Sequence, residues 1–191
     1  MKTAHTAALA VWALAGLAAL PAQAELHYDY VDLDYRVWDS DRFAEDLEGA
    51  GLKFSFGLTD LLYVVGEQIY VEEETGDADR ADVSAGFGLR WPLASGIDAI
   101  GELRYLDSEI NQALALDDED KGYLAVIGAR YLPLSWLELN AALEYGDVLD
   151  DEESFYRLGA VAHIWGPLHL LARAEFSDVR DGYNAGLRIT F

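Results

Sequence analysis

Residues 81–105 read ADVSAGFGLRWPLASGIDAIGELRY. Val83, Ala85, Phe87, Leu89 and Trp91 alternate with Asp82, Ser84, Gly86, Gly88 and Arg90. Further on, Ile97, Ala99, Gly101, Leu103 and Tyr105 alternate with Asp98, Ile100, Glu102 and Arg104. A period of two marks a β-strand with unlike faces. The Pro92-Leu93 step interrupts it, so the stretch reads as an antiparallel hairpin. Its polar face carries ionised side chains in mid-strand, and that feature decides between a soluble sandwich and a barrel in lipid.

The alternation recurs in both directions. It is clear over 50–59, 121–131, 136–146, 155–165, 168–176 and 181–191. It is less clean over 26–37, where Tyr28 and Tyr30 fall on the polar face, and ambiguous over 61–71. Ten strands is the resulting count, with eight as the alternative. Short connections near 59–61, 92–96, 132–136 and 165–167 alternate with longer ones near 38–49, 72–80, 107–120, 147–154 and 177–181. Strict alternation of short and long predicts an up-and-down meander with its tight turns on one side.

Directly opposed residues of an antiparallel pair share a face. Centring the four short turns on residues 60, 94, 134 and 166 sets Lys53 opposite Glu67, Arg90 opposite Asp98, Arg130 opposite Glu138 and Arg157 opposite Glu175. The same register turns Tyr63, Val65 and Glu67 inward and sets His163 opposite His169. Residues 88–100 and 128–140 share Gly-x-Arg-aromatic, Pro-Leu and a following acid, a weak repeat of one hairpin plan.

A soluble sandwich buries apolar faces, whereas a barrel in lipid turns them outward. Trp91, Trp136 and Trp165, with Tyr131 and Phe191, sit beside the short turns as one aromatic girdle. Trp38, Tyr105, Tyr123, Tyr145 and Phe176 lie toward the long connections as a second. An Arg or Lys facing lipid at midplane costs roughly 2–4 kcal/mol. Unpaired backbone in hydrocarbon costs more, so the last strand is expected to pair with the first. Residues 1–24 read as a cleaved signal peptide, with Lys2, the apolar run 7–20 and Ala22-Gln23-Ala24 before Glu25. The expected organisation is signal peptide 1–24 and transmembrane barrel 25–191.

The ending NAGLRITF resembles the C-terminal signal that the barrel-assembly machinery reads in bacterial outer-membrane barrels, through Asn184, Gly186, Ile189 and Phe191. YDYVDLDY (28–35) and GARYLPLSWLEL (128–139) resemble the small outer-membrane barrels of the OmpX-like and quorum-factor type. The resemblance implies a monomer in the outer membrane of a Gram-negative bacterium. Both termini would be periplasmic, with lipid and lipopolysaccharide as surroundings.

Charge excludes other classes. There are 35 acidic and 13 basic side chains, a net −22, which argues against nucleic-acid binding. Without cysteine there is no disulfide and no thiolate site. The acids gather in the long connections: Glu72, Glu73, Glu74; Asp117, Asp118, Glu119, Asp120; Asp150, Asp151, Glu152, Glu153. These read first as a solvated face and second as weak Ca²⁺ or Mg²⁺ ligands bridging to lipopolysaccharide. No other cofactor is expected. Neither Gly-x-Ser-x-Gly nor His-Glu-x-x-His occurs, so a membrane-embedded enzyme is the least supported reading. A structural, surface-displaying barrel is the leading one, and a narrow channel for ions or small solutes is the alternative.

Overall fold

The computed structural model describes residues 26–40, 46–74, 78–112, 118–148, 151–178 and 180–191. The signal-peptide reading and the candidate ligands Asp117 and Asp150 lie outside the described residues. Ten strands follow in order: β1 (Tyr30–Ser40), β2 (Leu47–Gly57), β3 (Leu62–Glu73), β4 (Ala78–Ala94), β5 (Ile97–Gln112), β6 (Asp118–Leu134), β7 (Leu137–Val148), β8 (Asp151–Trp165), β9 (Leu168–Phe176) and β10 (Arg180–Thr190). Each pairs antiparallel with its chain neighbour, and β1 closes on β10 from Tyr30↔Thr190 to Ser40↔Arg180. The eight-strand alternative is thereby set aside.

Strands of nine to seventeen residues satisfy or exceed the ~9–11 that a tilted strand needs to cross a bilayer. The excess lies at the long-connection end. Residues 78–80, 107–112, 118–120 and 151–154 are strand where the sequence predicts loop. Above the lipid both faces of a strand meet water, so no apolar period marks it.

Two turns also differ from expectation. The chain reverses at Ser95-Gly96 and Ser135-Trp136, and the register centres on residues 95 and 135, each one residue later than expected. β4 and β6 run through their prolines with bulges at Pro92/Ala94 and Tyr131/Leu134. Proline has no ladder donor and is tolerated at such bulges. Gly96, at φ +73°, supplies the left-handed residue that the tight turn needs.

The faces are inverted relative to a soluble protein. Ile127 (66% exposed), Leu103 (61%) and Phe87 (59%) project outward, while Asp32 (0%) and Arg104 (1%) are enclosed. An apolar band that encircles the barrel and, among the described residues, is broken by no charge needs lipid, because soluble monomers expose only limited patches.

Candidate functional site: a charge-filled lumen

Alternation alone places ionised groups inside, and period two then pairs them along a strand. Residues i and i+2 share a face within reach of an Arg stem. Arg36 Nε meets Asp34 at 2.6 Å, Arg80 Nε meets Asp82 at 2.9 Å, and Arg104 bonds Glu102. The sequence reading missed these same-strand pairs, although acid-x-Arg or Arg-x-acid on an alternating strand is their signal.

Cross-strand contacts join the pairs into one network. Glu67 accepts from Arg36 and, at 3.0 Å, from Arg104. Arg157 reaches Glu144 at 2.8 Å and Glu175 at 2.9 Å. Asp32 is shared by Arg173 and Arg188, the latter at 2.7 and 2.9 Å. Buried ions this densely paired replace much of the lost hydration with charge-assisted hydrogen bonds.

The four expected cross-strand pairs fare differently. Lys53 lies opposite Glu67, yet Glu67 is held by the two arginines and makes no ion pair with Lys53. Arg157 lies opposite Glu175 and binds it. The displaced turns correct the other two by two residues: Arg90 faces Ile100 and Arg130 faces Asn140. Parity keeps the faces, so Arg130 still chelates Glu138 diagonally at 2.9 and 2.7 Å. Arg90 approaches Asp98 at 3.9 Å.

Apolar caps close the network above and below. At the short-turn end Leu26, Tyr28, Tyr63, Val65 and Leu132 pack together. The guanidiniums of Arg90 (4.7 Å) and Arg130 (4.4 Å) both lie over the Tyr28 ring, and the Tyr28 hydroxyl donates to Asp98 at 2.9 Å. Burial pushes the Tyr28 phenol well above its ordinary pKa, so it remains a donor. At the other end Trp38, Leu47 and Val71 form the second cap. Trp38 is 2% exposed, which corrects its expected place in the outer girdle. It pairs instead with Arg180 (3.8 Å) and Arg80 (5.7 Å), two bases that the sequence reading left in loops. An arginine on an aromatic face gains cation–π stabilisation in a desolvated site.

Two small voids lie between the caps. One of about 60 Å³ is lined by Asp82, Arg80, Arg180 and Phe155, and one of about 50 Å³ by Tyr30, Lys53, Glu102 and Arg188. Arg157 and Glu144 border both and divide them. A wider cavity of about 280 Å³ opens at the short-turn mouth beside His27, His163 and His169. His163 faces His169 with ring centroids 5.0 Å apart.

The remaining expected residues scatter. Glu72 and Glu74 are exposed, whereas Glu73 is buried on the lumen side. Asp118, Glu119 and Asp120 belong to β6 and Asp151 and Glu152 to β8, while Glu153 lines the upper void. Among the described residues no three His, Asp or Glu side chains converge as a metal site. On β10, Asn184 is buried opposite Arg36 and Arg173, Gly186 faces Asp34, and Ile189 and Phe191 project outward.

No protein-family model matches this chain, and no curated protein matches it. Among solved structures it is similar to Neisserial surface protein A, at 12% identity and TM-score 0.45, over 85% of this chain and 95% of that one. It is also similar to KdgM porin, at 13% identity and TM-score 0.47, over 84% and 99% of the two chains. A third is Ail, the attachment invasion locus protein of Yersinia pestis, at 13% and 0.43 over 84% and 95%. Likenesses this distant add nothing to the geometry, and the class rests on the closed register and the inverted faces. The chain is a membrane-spanning up-and-down β-barrel. Within that class, it is one whose lumen is packed with paired charge between two apolar caps.

Proposed function

We propose that the chain is a bacterial outer-membrane barrel with a structural, surface-displaying role, exported by removal of residues 1–24. It stands as a monomer with both termini periplasmic and the acid-rich ends of the strands outside. The barrel-assembly machinery reads Asn184, Gly186, Ile189 and Phe191. The acids meet lipopolysaccharide phosphates through Ca²⁺ or Mg²⁺. The observation that carries the non-conducting reading is the Arg157–Glu144 septum between two voids of about 60 and 50 Å³, capped at both ends.

Planar-bilayer recording tests it. The expected result is a flat trace from the heat-modifiable folded band, with brief openings only when Arg157→Ala joins the voids. Stable unitary currents from the unaltered protein, changed by Arg157→Ala, would establish the narrow channel instead.

A further inference from the structure

Arg180, at the start of β10, stands apart from the other lumen arginines. Its ion pair with Glu175 Oε2 is long, at 3.8 Å, and Glu175 is already held by Arg157 at 2.9 Å. The Nε and Nη1 atoms of Arg180 are buried and bond to no group among the described residues. The residue is nonetheless fixed in place. The Ser177 amide donates to its carbonyl at 2.9 Å, and the Ser177 hydroxyl accepts from its amide at 2.9 Å. Its guanidinium lies over the rings of Trp38 (3.8 Å) and Phe155 (4.6 Å). A buried charge held this way is costly unless a counter-charge meets it.

Arg180 lines the upper void of about 60 Å³, together with Arg80 and Arg157. Arg157 Nε is a further buried donor without a partner among the described residues. Most acids on the same walls are committed to bases. Glu67 is bonded by Arg36 and Arg104, Glu144 by Arg157, and Asp82 by Arg80 and Ser108. Glu175 Oε1 makes no hydrogen bond but lies 2.9 Å from Arg157 Nη2. Glu153 is the fifth carboxylate bordering the void. We propose that this void binds a chloride ion, with Arg180 as its chief ligand and Arg157 Nε as a second donor. A monatomic anion accepts from several N–H groups at once and supplies the charge that Arg180 is short of. A cation would meet unpaired donors instead. The volume suits an ion of water-like size and leaves no room for a phosphate ester or an acidic sugar. The site stands whether or not the lumen conducts.

The test uses the purified, folded protein in a zwitterionic detergent. Chloride replaces gluconate at constant ionic strength, and the line width of the chloride magnetic resonance reports binding. Saturable excess broadening is expected, and it should vanish when urea unfolds the chain. Arg180→Gln should weaken binding ~10-fold or more, and Arg180→Lys should weaken it less because a cation remains. Glu153→Gln should tighten binding by removing a carboxylate from the wall. Arg90→Gln, at the other end of the lumen, should leave it unchanged. Heat-modifiable migration establishes that each variant is folded. Should Arg180→Gln fail to fold, crystals of the unaltered protein grown in bromide decide, with anomalous scattering expected beside Arg180. Broadening that is absent or never saturates, binding equal in Arg180→Gln and the parent, or bromide found only away from Arg180 overturns the proposal and leaves the void to water.

Discussion

At the residue scale, Arg130 ties the lower lumen together. It chelates Glu138, donates to the His27 carbonyl and lies 4.4 Å over Tyr28. Removing one member of a buried pair leaves the other charged and underpaired. Arg130→Ala is expected to cost about 3–5 kcal/mol in urea unfolding from lipid vesicles. Adding Glu138→Gln should recover part of that loss, because it removes the stranded charge. Equal, additive losses in the two single variants would show that the pair is not coupled. Arg180 makes the complementary point. Held between Trp38 (3.8 Å) and Phe155 (4.6 Å), it depends on ring faces more than on carboxylates.

At the element scale, β4 fits against its neighbour because Gly88 has no side chain. The Tyr63 ring lies where a Cβ at Gly88 would stand, and its hydroxyl donates to Glu102 at 2.8 Å. Gly88→Val should expel the ring and lower stability by about 1–3 kcal/mol, with Tyr63→Ala in the same chain relieving the clash. Urea midpoints of the two variants check this. Element existence was legible wherever lipid imposes alternation: Val83 to Trp91 and Ile97 to Tyr105 are strands with the expected faces. The upper reach of β5, including Asp107 and Glu109, carries no such imprint. Turn positions escaped because Pro-Leu resembles a reversal while serving as bulged strand. Trp38 was misplaced because an aromatic near a strand end suits either a girdle or a lumen cap, and only parity with Asp34 and Arg36 separates the two. The lumen pairs were legible in face but not in partner. Once several charges share a lumen, long Arg stems choose diagonal and same-strand acids over the opposed one.

At the scale of the whole molecule, one substitution separates the two sides of the wall. Ile127 lies outward in mid-strand at 66% exposure. Ile127→Arg should destabilise the barrel by ~2–4 kcal/mol in vesicles and far less in detergent, where the head can reach water. An equal penalty in both media would mean that Ile127 does not face hydrocarbon. The closed seam has a consequence for lifetime. An open sheet can shed a boundary strand by unzipping a single ladder. Here each strand is bonded on both flanks, the Tyr30↔Thr190 junction included, so departure requires two ruptures at once. Disassembly has no weak point at which to begin, and persistence in the membrane is governed by that activation barrier more than by the equilibrium balance of its contacts.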